Sequence, residues 1–253
     1  MAKIVAVVNQ KGGVGKTTSC VNLAAALHQR GCRTLLCDFD PQANATSGMG
    51  VDKNTASPNV YDVLIRQADP KKAVVHGAFG DVLPSNKVLA GAGVEMIGLE
   101  RREYLLKSAL DKLSPDYDFI FIDCPPSLEL LTLNGLCAAD TVLVPVQAEY
   151  FALEGLSDLM NTIRIVRKSL NKNLDLEGVL MTMFDNRTNL ALQVSEEVKR
   201  FFPGKVFATV IPRNVRLSEA PSHGKPINAY DRTSRGCEAY TALADEFVRK
   251  NEK

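Results

Sequence analysis

The residues Lys11, Gly12, Gly13, Val14, Gly15, Lys16, Thr17 and Thr18 follow one another in a single short run, so three glycines, two lysines and two hydroxyls share one loop. Glycine frees backbone N–H groups to wrap phosphate oxygens, and a helix opening at the loop adds partial positive charge. Lys16 would then neutralise the β- and γ-phosphates of ATP, while the Thr17 hydroxyl would bind Mg2+. One position departs from the usual G-x-x-x-x-G-K-T spacing. Gln10 stands where the first glycine belongs, and a second lysine, Lys11, follows it. A loop that already carries one phosphate lysine has no evident use for another from the same side.

Carboxylates supply the remaining chemistry. Residues 119–123, FIFID, are four apolar residues ending in an acid, the pattern of a buried strand that delivers a carboxylate to a metal site. Asp123 would hold a magnesium-bound water or accept from Thr17. Asp38 and Asp40 close another apolar run, residues 33–40. From the residues alone, each could be catalytic or only a hydrogen-bonding or helix-capping group.

The elements that must position these groups are legible in outline. Residues 3–9, 33–40, 119–123, 141–146, 176–183 and 206–211 are short β-branched or apolar runs without alternation, as strands buried on both faces read. Helical patterns cover residues 17–30, 60–66, 99–113, 128–138, 153–170, 190–202 and 237–250. Strands alternating with helices predict an α/β fold, a doubly wound, mostly parallel sheet flanked by helices. Ligands of such sheets sit beyond the C-terminal strand ends, where Asn9, Asp40, Asp123 and Pro145 fall. Residues 41–98 are the least regular part and read as an elaboration near the nucleotide, within a single domain spanning 1–253.

Composition narrows the class. The 253 residues are 45% hydrophobic and 23% charged, enough to bury a sizeable core. No apolar run reaches the length of a membrane span, and the N-terminus lacks a signal-peptide pattern, so a cytoplasmic location is expected. The six cysteines include no C-x-x-C pair and read as reduced core thiols. The net charge of +1 is uneven: between positions 199 and 225, Lys199, Arg200, Lys205, Arg213, Arg216 and Lys225 face only Glu219. That bias allows a polyanion partner.

Several blocks together resemble the ParA/Soj chromosome-partitioning ATPases of the deviant Walker type: the loop at 11–18, DFDPQANATSG at 38–48, DCPPS at 123–127, PVQ at 145–147 with EYFALEG at 149–155, and IPRNVRLSEAPSHGKP at 211–226. The resemblance implies an ATP-dependent homodimer in which Lys11 reaches the partner's nucleotide, much as an arginine finger does, with Gly12 permitting the close approach. It further implies that Asp40 orients the attacking water and that Pro212 and Asn214 border the adenine. Non-specific double-stranded DNA would be bound through Arg187 and Arg216, and a ParB-type centromere-binding protein would stimulate hydrolysis. A nucleoid-associated cytoplasmic protein with no membrane partner is expected. With a strand starting at Lys3, no N-terminal helix-turn-helix domain is expected.

Three rival functions share parts of this pattern. A MinD-like regulator would end in a basic amphipathic membrane helix, but the last eight residues hold only two large apolar side chains. A nitrogenase-iron-protein-like enzyme would use cysteines such as Cys124 and Cys137 as cluster ligands. A non-hydrolysing scaffold would not need Lys16, Thr17, Asp40 and Asp123 together.

Overall fold

The computed structural model describes residues 1–149 and 152–252; Tyr150 and Phe151 of the 149–155 block lie outside the described residues. Among the described residues six strands are formed: β1 (Lys3–Val7), β2 (Thr34–Asp38), β3 (Asp81–Leu83), β4 (Phe119–Asp123), β5 (Thr141–Gln147) and β6 (Asp175–Thr182). They lie in the order β3-β2-β4-β1-β5-β6, and every pairing is parallel. The helices are α1 (Lys16–Gln29), α2 (Asn44–Gly48), α3 (Val60–Ile65), α4 (Pro70–Ala73), α5 (Leu89–Glu95), α6 (Leu105–Leu113), α7 (Leu130–Ala138), α8 (Ala152–Ser169), α9 (Asn189–Phe201), α10 (Val215–Glu219), α11 (Ile227–Tyr230) and α12 (Arg235–Asn251).

The lack of hydropathic alternation in the strands has a direct structural cause. Successive strand side chains point to opposite faces, and both faces are covered. Ile4 and Ala6 join the cluster under α3, α5, α6, α7 and α8, whereas Val5 and Val7 pack with α1 and α12. Ile120 and Ile122 divide from Phe121 in the same way. Phe119 and Phe121 meet Phe247 of α12 at centroid distances of 5.3 and 5.7 Å. Truncating a buried ring such as Phe121 to alanine costs about 3–5 kcal/mol.

Three expectations need correction. The run at 206–211 does not form a strand; Val206 makes an isolated bridge to Val179 of β6, the Ile211 amide donates to the Met181 carbonyl of β6 at 2.8 Å, and just beyond the run Pro212 bridges Phe184, past the end of β6. Between them the amides of Ala208 and Thr209 donate to the Glu246 carboxylate of α12, at 2.7 and 2.8 Å, so the ladder is interrupted. The irregular region contributes an edge strand, β3, whose three residues are too few to show a period. The helix expected at 99–113 begins only at Leu105, because Arg101 adopts φ +53° and a 3-10 turn, Arg102–Tyr104, intervenes.

Register brings the acids together. Asp123 lies opposite Val7 on one side and opposite Asp38 on the other. The C-terminal ends of β1, β2 and β4 therefore converge on one edge of the sheet, where α1 begins.

Candidate nucleotide site

The loop between β1 and α1 is held from two sides. Asn9 donates through Nδ2 to the Pro145 carbonyl of β5 at 2.8 Å and accepts from the Lys11 amide at 2.9 Å. The Thr182 hydroxyl at the end of β6 donates to the Val14 carbonyl at 2.7 Å. Gly15 turns the chain into α1 with φ +92°, a conformation that glycine adopts without a Cβ penalty.

Above the strand ends lies a cleft of about 720 Å3. Gly12, Gly13, Gly15, Lys16, Thr17, Thr18 and Asp40 line it, as do Pro212 and Asn214 from the opposite wall. Val14 is buried beneath the loop and contributes its carbonyl to the Thr182 bond. The Asn214 side-chain oxygen caps α10 by accepting from the Leu217 amide at 3.2 Å. Its amide nitrogen is left as a donor beside Pro212.

The two loop lysines diverge. Lys16 is buried, and its Nζ donates to the Lys11 carbonyl at 3.1 Å. Burial lowers its pKa, with the charges of Asp123 and Asp40 acting in the opposite direction. Lys11 is half exposed, does not line its own cleft, and pairs with the Glu149 carboxylate on the surface. A Cβ added to Gly12 would meet nothing within 4 Å, and its φ is not positive. Among the described residues nothing demands glycine there.

Asp123 is fully buried, with Oδ1 accepting weakly from the Cys20 thiol at 3.6 Å and Oδ2 lacking any hydrogen-bond partner among the described residues. Burial and the adjacent Asp38 charge raise its pKa, while neighbouring Thr17 pulls the other way without closing a bond on Oδ2. A buried carboxylate oxygen without a donor, next to a threonine hydroxyl, is the hard oxygen environment that a hydrated magnesium ion satisfies. The residues fit that ion.

Asp40 accepts from the Gln42 amide at 2.9 Å through Oδ1 and faces the cleft. Asp38 does not line it. Asp38 is buried, its pKa raised by burial, and both Thr46 bonds to its Oδ2 measure 2.6 Å. Of the two acids, Asp38 at the end of β2 and Asp40 two residues beyond it, the structure places Asp40 at the cleft and Asp38 in the framework.

The arginines expected at DNA are exposed but engaged. Arg187 bridges both oxygens of Asp185 at 2.8 and 2.6 Å. Arg216 pairs with Glu219 at 2.9 Å and Asp231 at 3.4 Å. The positive bias of 199–225 is also reduced in space, since Lys199, Arg200 and Lys205 meet Glu196, Glu197 and Asp175. Among the described residues Arg213 and Lys225 form no ion pair, and both line the cleft together with Lys53, Asn22 and Ser47. Sequence reasoning did not single out these five for the nucleotide. Arg213 lies between the two expected adenine contacts, a signal that could have marked it.

The rival chemistries meet structural obstacles. Cys124 is fully buried against α7, where a Cβ on Gly135 would come within 2.7 Å of its sulfur, so it is not placed at the surface for a cluster shared between subunits. The apolar face of α12, with Leu243, Ala244 and Phe247 fully buried, is consumed by the core. No helix among the described residues is long and apolar enough to cross a membrane.

A family profile described as AAA domain matches residues 2–176. The sporulation initiation inhibitor protein Soj of Bacillus subtilis is 57% identical over 252 residues, covering 98% of this chain and 99% of that protein. The chain belongs to the ParA/Soj family of chromosome-partitioning ATPases. The chromosome partitioning protein ParA of Myxococcus xanthus is 50% identical, with 99% of this chain and 89% of that protein covered. Among solved structures, one described as cobyrinic acid a,c-diamide synthase from Mycobacterium smegmatis with bound ATP analog and magnesium has a TM-score of 0.90 at 39% identity, covering 100% of this chain and 96% of that one. The cell division ATPase MinD of Pyrococcus furiosus has a TM-score of 0.79 at 26% identity, covering 98% and 99%. Membership in the family agrees with the all-parallel fold and with a phosphate loop at the convergent strand ends.

Proposed function

We propose that this ParA-family ATPase binds ATP and magnesium in the cleft, pairs face to face with a second copy, and in that state binds double-stranded DNA without sequence preference. A ParB-type partner stimulates hydrolysis and release, and the cycle segregates a chromosome or plasmid in the cytoplasm, on the nucleoid. The observation that carries this reading is the division between Lys16, buried in its own cleft, and Lys11, directed out of it.

Each residue then has one task. Lys16 neutralises phosphate charge inside its own cleft, and Pro212 and Asn214 border the adenine. Thr17 and Asp123 would hold magnesium, Asp123 through a bound water; that ion supplies charge neutralisation and orientation of the phosphates. Asp40 orients the attacking water. Lys11 leaves Glu149 and reaches the partner's γ-phosphate, where it stabilises charge that develops in the transition state. An exposed ion pair is worth about 0–1 kcal/mol, so a triphosphate displaces Glu149 readily. Gly12, unconstrained by the described residues of its own chain, lets the second subunit approach.

Light scattering tests the pairing directly. With Mg2+ and ATP, the Asp40→Ala variant is expected to double its mass, and Lys11→Ala in that background to remain monomeric. A monomer under both conditions would overturn the reading.

A further inference from the structure

Four residues on three segments close a circuit of hydrogen bonds beneath the cleft. The Asp38 carboxylate accepts the Asp40 amide on Oδ1 at 3.2 Å. Its Oδ2 accepts both the amide and the hydroxyl of Thr46, each at 2.6 Å. Thr46 Oγ1 in turn accepts the Ser85 amide at 3.0 Å. The Ser85 hydroxyl returns to the start, donating to the Asp40 carbonyl at 2.9 Å. Asp38, Thr46 and Ser85 are all fully buried.

The circuit clamps the Asp40 peptide at both its N–H and its C=O while leaving the carboxylate at the cleft. Buried polar groups of this kind specify one geometry when every member is satisfied. Thr46 is the joint. It belongs to α2, whose Asn44, Ser47 and Gly48 line the nucleotide cleft, and it links that helix to the loop after β3. Asp38 lies in register with Asp123 on the neighbouring strand, so the clamp is anchored beside the magnesium carboxylate.

We infer that Thr46 and Ser85 are positioning residues that aim Asp40 at the attacking water, and that they transmit the placement of α2 against nucleotide to that carboxylate. The inference rests on the hydrolytic role proposed for Asp40. Neither side chain lines the cleft, so both act through Asp40 and not on the nucleotide.

The test compares Thr46→Val, Thr46→Ser, Ser85→Ala and Asp40→Ala in single-turnover hydrolysis of ATP, alongside equilibrium binding of a fluorescent ATP analogue and amide hydrogen exchange at Ser85. A misaimed group costs about 10- to 100-fold in rate. Thr46→Val and Ser85→Ala are expected to lose turnover on that scale with analogue affinity within threefold of the parent, and Thr46→Ser to restore it. Thr46→Val is also expected to abolish protection of the Ser85 amide, a change visible without turnover. Normal turnover in both Thr46→Val and Ser85→Ala, an equal loss of affinity and rate, or failure of Thr46→Ser to rescue would overturn the positioning role. If Asp40→Ala itself keeps full turnover, the hydrolytic role of Asp40 falls and this inference falls with it; loss in Asp40→Ala alone removes only the inference.

Discussion

Lys16 donates its ammonium to the backbone carbonyl of Lys11 at 3.1 Å, while the Lys11 side chain turns away to Glu149. Two lysines five positions apart are thus joined through the main chain and separated in their targets. Lys16→Ala is expected to lose ATP and ADP binding together. Lys11→Ala should retain ADP affinity close to the parent's and lose about 10³-fold or more in stimulated turnover, the scale of a missing arginine finger. Calorimetry for ADP and a phosphate-release assay separate the two effects, and equal loss of ADP affinity in both variants would place Lys11 at its own nucleotide instead.

Asp40→Ala should leave ATP binding intact and cut hydrolysis by about 100-fold or more, the scale of a lost acid–base or water-orienting group. Asp38→Ala has a different signature. It strips the acceptor from Thr46 and from the Asp40 amide, so a lowered melting temperature should accompany the lost activity. Unchanged turnover in Asp40→Ala would remove that residue from the chemistry.

The pair Asp38 and Asp123 makes stability depend on pH in an unusual direction. Burial raises both folded-state carboxyl pKa values, so the folded protein holds protons that the unfolded chain releases. Below the ordinary aspartate range both states are protonated and the pair contributes nothing. As pH rises from that range through the raised folded values, only the unfolded chain is relieved, and the nucleotide-free protein loses stability. Thermal melts between pH 5 and pH 8 should show this decline, and Asp123→Asn should flatten it. An identical pH profile in the variant would contradict the assignment.

DNA binding through Arg187 and Arg216, as proposed, requires each to exchange its carboxylate partners for phosphates. Arg216→Ala is expected to dimerise with ATP, to weaken duplex binding equally across sequences, and to reduce the logarithmic salt slope by about 1. Normal DNA affinity at several salt concentrations in a dimerising Arg216→Ala would exclude that contact.

The placement of the loop and Asp123 together at the converging strand ends was legible in sequence, because a phosphate-loop pattern and an acid-terminated apolar run each prescribe residue type at short spacing. The strands were legible because burial on two faces removes alternation, as Val5 and Ile4 show by entering different clusters. What stayed hidden depends on distance along the chain. β3 gains its identity from pairing with Leu35, Leu36 and Cys37, not from its own three residues. Glu246 takes the amides of Ala208 and Thr209 from 38 and 37 positions away, which sequence periodicity could not register. The basic stretch at 199–225 looked uncompensated because Glu196, Glu197, Asp175 and Asp231 lie outside that window or across space.

Nucleotide gating of DNA binding is the central claim, and one titration reaches it most directly: labelled duplex DNA of arbitrary sequence against Asp40→Ala protein, with Mg2+ and ATP, with Mg2+ and ADP, and without nucleotide. Tight, sequence-independent binding is expected with ATP alone, steeply weakened by salt. Equal binding under all three conditions would contradict the ATP-gated dimer.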